Sequence, residues 1–531
     1  MKNKYLQKIN SVILIVSIVL INEINYLFYK INQSPDFGDY EIYFKYLFGQ
    51  VNNTLRDQGL FYFYLQAKYF EFYAKTFNST ELALSRSILN LNSIFFVFGL
   101  FGVYKLLIFY NFSKKIAVYS LIFLNYLPIS IAIRLSFKPE ILAFALLPWI
   151  ILFFEQYLKT KEKIYLFSSI PFIVALSSLK SSILALNSFF LFFFYFVKLY
   201  KANKKYFFIA LFIVLTLLSL ITLDNLKSNG VDYFNLQTAS KATGEYDNTA
   251  PLSFFYKFNL YQLVAEPIKH NHAKSLFSIV LLDTMGDYFD IFWNNNNVLF
   301  SKNTKELVLV EQSNEIKSPK INKDTGTIVI FLQNKTEIYF SRIVSLFLSF
   351  LFYYYLLKKI FKNSEFTKFY ISVIFSICII FIHVFTGLPT KNFQLETGDT
   401  VKAAYFSYFI LISGAFLFAE YVRKKEKLIY LLVPFVLAVF VIIGFPKNLD
   451  EEAIEVLNQK NEYTYLCNFN SLFISSDVTS CNQGQSEINE INYRETISST
   501  PNFLLTFYMF LSVMSLTFKG TILLFLEKLK E

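Results

Sequence analysis

Histidine and cysteine are almost absent from this chain, with three of each in 531 residues. His270, His272 and His383 form no HExxH helix, and neither a GxSxG elbow nor a GxxxxGK[ST] phosphate loop occurs. These gaps exclude a zincin site, a serine-hydrolase elbow and a P-loop ATP engine within this chain. His270 and His272 flank Asn271 in a polar segment and read as solvated side chains. No CxxC pair occurs, so dithiol redox chemistry is excluded as well. Charge is thin at 17%, against 54% hydrophobic residues that include 65 Phe and 37 Tyr, and mean hydropathy is +0.41. A soluble fold is excluded by that balance.

What is abundant is the apolar run long enough to cross a hydrocarbon layer, about 20 residues. Such runs recur from 11–29 through 87–110, 116–133, 141–158 and onward to 502–524. They predict an all-α polytopic bundle of about twelve transmembrane helices, because lipid leaves no partner for unpaired backbone groups. No ten-residue alternation of barrel type is present. Lys2, Lys4 and Lys8 precede the first run as they would in a secretory signal, but no small-residue cleavage site follows, so the run reads as a retained span.

Cations fix the expected orientation. Lys114/Lys115, Lys159/Lys161/Lys163, Lys198/Lys201/Lys204/Lys205, Lys358/Lys359/Lys362, Arg423/Lys424/Lys425/Lys427 and Lys528/Lys530 occupy alternate connections on the side of the N-terminus. Cytoplasmic loops concentrate Lys and Arg, so both termini are expected in the cytoplasm. The net charge of +11 is then an orientation signal beside anionic lipid and not a nucleic-acid footprint. High Lys, Asn, Ile and Phe usage points to an AT-rich genome and a bacterial inner (plasma) membrane.

Three parts follow from this topology. Residues 1–223 form an N-terminal transmembrane module with a first outer loop at 30–86, 224–339 form a large outer loop, and 340–531 form a C-terminal module with an outer loop at 446–501. The stretch 51–80 alternates aromatic and polar residues and predicts an amphipathic interfacial helix. Cys467 and Cys481 share the last outer loop, where a periplasmic bridge would contribute about 3 kcal/mol on the chain-entropy model.

Three signals carry chemistry. Asp36 and Asp39, in Ser34-Pro-Asp-Phe-Gly-Asp-Tyr-Glu41, follow the first span directly, and a carboxylate at a water-membrane boundary can act as general base toward a hydroxyl. Helix capping or loop solvation is the bland alternative for that pair. Arg134, Lys138, Lys180, Arg342 and Lys402 lie at outer turns, against the orientation rule, and together suit a lipid phosphate. Snorkelling to the interface is the bland alternative for each of these cations. Gly38-Asp39-Tyr40 is echoed by Gly286-Asp287-Tyr288, where Asp283, Asp287 and Asp290 beside Trp293 suit sugar binding.

At these residues the chain resembles the GT-C superfold of polyprenyl-phosphate-sugar glycosyltransferases, particularly bacterial relatives of the dolichyl-phosphate-mannose protein mannosyltransferases. The acidic entry loop with Asp36 and Asp39, the 51–80 segment, Arg134-Leu-Ser-Phe-Lys-Pro-Glu140 before Pro148-Trp149, and Gly398-Asp-Thr-Val-Lys-Ala-Ala-Tyr405 carry the likeness. It has no lectin-like soluble domain of the protein mannosyltransferase kind.

The resemblance implies transfer of a sugar from a polyprenyl-phosphate donor to a glycan, lipid or protein acceptor of the envelope, on the periplasmic face. Asp36 or Asp39 would be the base. Arg134, Lys138 and Lys402, with Lys180 and Arg342 in lesser roles, would hold the leaving phosphate. Tyr40, Asp283, Asp287, Trp293 and Tyr405 are expected around sugar and acceptor. A divalent cation (Mg2+ or Mn2+) is left open, since two aspartates and a phosphate make a hard oxygen site. Two other classes stay open: an O-antigen or exopolysaccharide polymerase, and a secondary transporter or lipid-linked glycan flippase. The polymerase reading is weakened by the scarcity of arginine.

Overall fold

The computed structural model describes residues 59–77, 83–125, 127–135, 137–229, 252–258, 275–285, 298–301, 306–309, 329–331, 335–386 and 403–423, together with Tyr43 and Leu47. Helix dominates these residues. In chain order the helices are α1 (Phe61–Phe77), α2 (Ala83–Phe109), α3 (Lys114–Asn125), α4 (Pro128–Leu135), α5 (Glu140–Thr160), α6 (Lys163–Ser177) and α7 (Ser181–Leu191). A π turn over Phe192–Phe196 leads into α8 (Val197–Ala202) and α9 (Lys204–Asn229). Then come α10 (Leu252–Tyr256), α11 (Leu276–Thr284), α12 (Lys335–Phe361), α13 (Thr367–Thr386), a 3-10 turn (Ala403–Phe406) and α14 (Ser407–Arg423).

Among the described residues four helices are long and apolar enough to cross a membrane: Ser87–Phe109, Glu140–Thr160, Ser182–Ala202 and Ala403–Arg423. Lys163–Ser177 and Thr367–Ile382 are shorter apolar helices. The expected runs 11–29, 428–445 and 502–524 lie outside the described residues. The run 116–133, expected as one span, is instead two helices. Pro128 has no N–H to continue the ladder, and the chain breaks between Asn125 and Pro128 before resuming as α4.

The expected amphipathic helix of 51–80 forms as α1. Tyr62, Phe63, Gln66, Phe70 and Tyr73 face inward while Tyr64 and Phe72 are exposed. Within 224–339, α10 and α11 are followed by three short strands, β1 (Val298–Ser301), β2 (Glu306–Leu309) and β3 (Val329–Phe331), in antiparallel order β2-β1-β3. Val298 pairs with Leu309 and Leu299 with Phe331. Apart from these short strands the described residues are helical, in keeping with the all-α expectation.

The packing core is the α2/α5/α6 layer, with α14 laid against α3 and α5. α2 and α5 approach closely because a glycine sits at their crossing: a Cβ on Gly99 would lie 2.6 Å from the Phe144 ring and 2.8 Å from the Phe144 carbonyl oxygen. Small residues at a crossing let two apolar helices gain dispersion contacts that lipid alone would otherwise match. Gly59 plays the same part at the start of α1, where its N–H donates to the Leu179 carbonyl at 2.8 Å and a Cβ would collide with Ser178 O.

Short connections follow α2, α5, α8 and α12, so the helices alternate in direction. Lys114, Lys159, Lys163, Lys204, Lys358 and Arg423 consequently gather at one end of the bundle. The starts of α5, α7 and α14 gather at the other.

Candidate functional site

The opposite end, away from the lysine-rich connections, is where Arg134, Lys138, Glu140 and Lys180 are buried. α4 ends there with Arg134, α5 begins there with Glu140, and Lys180 precedes α7 with an extended backbone. The 3-10 turn touches α4, α5, α7 and α11 and closes the cluster.

Arg134 is 1% exposed, and its guanidinium is held by the chain around it. Nη1 donates to Asn125 Oδ1 at 3.0 Å, Nη2 to the Asn125 carbonyl at 2.7 Å and Nε to the Ser130 carbonyl at 3.0 Å, with Phe96 stacked 4.4 Å away. These bonds stitch the end of α3 to α4 across the break at Pro128. The Arg134 carbonyl accepts from Asn92 Nδ2 at 3.0 Å. Asn92 Oδ1 accepts from Tyr62 at 2.9 Å and from Gln66 Nε2 at 2.9 Å, which fixes α1 on α2. Burial pushes the Tyr62 phenol well above its ordinary value, so the hydroxyl remains a donor. The Lys138 backbone is a further hydrogen-bond partner of that hydroxyl, and Lys138 is itself buried.

Lys180 and Glu140 form a buried ion pair, Nζ to Oε1 at 3.4 Å, with Tyr405 beneath the ammonium at 4.6 Å from the ring centre. Glu140 occupies the first helical position of α5, where the helix dipole favours an anion. The other carboxylate oxygen, Oε2, is buried and has no hydrogen-bond partner among the described residues. The Glu140 charge is felt at the hydroxyls of both Tyr62 and Tyr408. Tyr408 in turn accepts from Asn187 Nδ2 at 3.2 Å, joining α7 to α14.

Asp283 ends up as a cap. Its Oδ2 accepts from the Ala403 N–H at 2.6 Å, so α11 holds the first residue of the 3-10 turn through a charge-assisted bond. The neighbouring Thr284 hydroxyl bonds Tyr353 of α12 at 2.9 Å. The expected residues Arg134, Lys138, Lys180, Asp283 and Tyr405 thus lie in the α4/α5/α7/α11/3-10 cluster.

Asp36, Asp39, Tyr40, Asp287, Trp293, Lys402, Cys467 and Cys481 lie outside the described residues. So does the side chain of Arg342, whose backbone is part of α12. Sequence reasoning assigned no role to Glu140, Asn92, Gln66, Asn187 or Tyr408. A signal existed for the first: a carboxylate directly before the apolar run 141–158 has few uses unless it is partnered. Asn92 and Asn187 were hidden because a lone amide in a membrane helix has no spacing that marks it.

Among the described residues no group of three or more His, Cys, Asp or Glu side chains could hold a metal ion. The hard oxygen site expected at Asp36 and Asp39 falls outside those residues.

No family model, curated protein or solved structure matches this chain.

A second polar group lies at the lysine-rich end. Lys368 of α13 is ion-paired with Glu155 of α5 and donates to Tyr110 at 2.6 Å, and Tyr195 donates to Glu155 at 2.8 Å. The π turn is what brings Tyr195 inward. Beside it, Lys359 pairs with Glu420 at 2.9 Å, and Tyr370 also donates to that carboxylate. Both carboxylates therefore have a lysine and a tyrosine.

An apolar cleft of about 190 Å³ opens between α7 and α13, walled by Phe189, Phe193, Phe375 and Ile379. It holds none of the charged residues above. The polar cluster, where chemistry would reside, is the stronger candidate site.

Proposed function

We propose that this chain is an integral-membrane glycosyltransferase that moves a sugar from a polyprenyl-phosphate donor to an envelope acceptor on the periplasmic face. In this reading the bundle has about twelve spans with GT-C-like organisation, and both termini are cytoplasmic. The observation that carries it is the gathering of Arg134, Lys138 and Lys180 with Glu140, Asp283 and Tyr405 at the bundle end remote from the lysine-rich connections.

Buried cations at that end match a demand for phosphate, and desolvation makes each such donor worth more than it is in water. Lys138 is the better phosphate ligand, because Lys180 is already paired with Glu140. Arg134 already holds Asn125 and Ser130, and it serves the site by fixing the turn that presents Lys138. Asp36 and Asp39 enter from the first outer loop as the base that takes the acceptor hydroxyl proton, with the lipid phosphate leaving. Membrane vesicles containing the chain, supplied with polyprenyl-phosphate hexoses, should release free polyprenyl phosphate and add one hexose to an envelope acceptor by mass spectrometry. Absence of release from every hexose donor would refute the reading.

A secondary transporter is the second reading, and the Glu155–Lys368 pair between α5 and α13 is what favours it. Ionisable residues inside a helix bundle commonly mark ion pathways. A proton-dependent flux of solute through the same vesicles, without sugar transfer, would select it.

A further inference from the structure

The orphaned acceptors of the polar cluster share one chemistry. Five buried side-chain atoms have no partner among the described residues: Gln66 Oε1, Glu140 Oε2, Ser182 Oγ, Asn187 Oδ1 and Ser349 Oγ. The first four belong to α1, α5 and α7, with Gln66 bonded to Tyr62 and Asn187 to Tyr408, the two tyrosines whose hydroxyls feel the Glu140 charge. Three of those four are carbonyl or carboxylate oxygens that can only accept.

The three acceptor-only orphans are also held in place. Lys180 anchors Glu140 through Oε1 and leaves Oε2 open. Asn187 gives Nδ2 to the Ile183 carbonyl at 2.8 Å and to Tyr408, which fixes its amide with Oδ1 unused. Gln66 gives Nε2 to Asn92 and Tyr62, which leaves Oε1 unused in the same way. A buried acceptor without a donor costs free energy, so a fixed group of them calls for a ligand that supplies donors. Phosphate brings only acceptors. A saccharide brings several hydroxyls.

We propose that Glu140 Oε2 and Asn187 Oδ1 are sugar-binding atoms that accept hydroxyls of the transferred hexose, with Lys180 as the residue that positions Glu140. This rests on the glycosyltransferase reading and adds the division of labour within it: the cations take the lipid phosphate, and the acceptor oxygens take the sugar. Glu140 is a binding group here and not the base.

The test is differential affinity. Purified protein in nanodiscs is titrated with undecaprenyl phosphate and with undecaprenyl-phosphate glucose, mannose and galactose, read by native mass spectrometry. Wild type should prefer at least one glycosylated lipid over the bare phosphate by about tenfold, the scale of one hydrogen bond to a charged group. Glu140→Gln should reduce that preference to about twofold or less, with affinity for bare undecaprenyl phosphate changed by less than about threefold.

Asn187→Leu, which leaves the ion pair intact, reads the same preference should Glu140→Gln fail to give monodisperse protein. Full retention of the preference in whichever variants fold overturns the proposal while leaving the transferase reading in place. Equal wild-type affinity for bare and glycosylated lipid does the same, and assigns the orphaned oxygens to water. Binding of neither lipid class by wild type overturns both.

Discussion

Lys180 Nζ lies 3.4 Å from Glu140 Oε1, with both side chains almost fully enclosed, at 7% and 1% exposure. Two helix starts are thereby tied by one ion pair. Breaking such a pair by removing a single partner strands a charge, which costs about 3–5 kcal/mol, whereas neutralising both is close to neutral. Lys180→Met should therefore lower the thermal midpoint in detergent markedly, and Lys180→Met combined with Glu140→Gln should recover most of it. Equal midpoints for wild type and Lys180→Met would show that the pair carries no stability.

Tyr62 offers a pH reading of the same end. Its phenol ionises near 10 in an unfolded chain, and burial raises that value in the folded one. The unfolded state then releases the proton first, so the contribution is intact below pH about 10 and is lost as pH rises further. Wild type should lose stability above that pH, and Tyr62→Phe should lose less there. At neutral pH the same variant should cost about 1 kcal/mol for the lost bond to Asn92. Parallel alkaline unfolding curves would exclude Tyr62 as a contributor.

The helices and the site were not equally legible in the sequence. Long apolar runs announced α2, α5 and α14, because burial in lipid demands continuous hydrophobicity and little else produces it. The break at Pro128 was missed: apolar residues continue on both sides, and the turn is held by bonds from Arg134 and Ser130 back to Asn125 that no local pattern announces. Cations at Arg134, Lys138 and Lys180 were visible as exceptions to a charge rule. The meeting of Lys180 with Glu140 and Tyr405 was not, since that depends on how α5, α7 and the 3-10 turn pack. Asp283 was read as a sugar ligand from its neighbours in sequence. Its bond to the Ala403 N–H spans 120 positions, a distance no local pattern encodes.

The α2/α5 crossing provides a test of the fold alone. Valine at position 99 would place a branched Cβ inside contact distance of both the ring and the carbonyl of Phe144. Overpacking of that kind costs about 1–3 kcal/mol, and the backbone carbonyl cannot rotate away as a ring can. Gly99→Val should lower the thermal midpoint, while Gly99→Ala should have a smaller effect because the Phe144 ring yields part of the space. Wild-type stability in Gly99→Val would mean that the two helices do not cross here.

Chemistry is tested at the acidic entry loop. Asp36→Asn and Asp39→Asn, made separately, should leave expression and thermal stability close to wild type, and at least one should abolish sugar transfer. Loss of a general base typically costs about 10²–10⁴ in rate. Wild-type turnover in both variants would remove the base assignment, whatever the phosphate site does. Lys138→Ala should weaken use of the lipid donor more than use of the acceptor, and a uniform change in both would favour a snorkelling lysine.

At the lysine-rich end, the Glu155–Lys368 pair separates the two functional readings. Tyr110 and Tyr195 complete the hydrogen bonding around these two charges, and a fully satisfied network of this kind behaves as a clamp between α5 and α13. Glu155→Gln alone should destabilise the fold by leaving the lysine without its counter-ion. Glu155→Leu with Lys368→Met should restore stability and keep sugar transfer within about threefold of wild type, as expected when a buried pair is exchanged for packed apolar groups. A transporter would respond in the opposite way, since a proton or ion pathway through this pair cannot survive loss of both charges. Solute flux abolished in a stable double variant would place function at Glu155 and Lys368 and overturn the transferase reading.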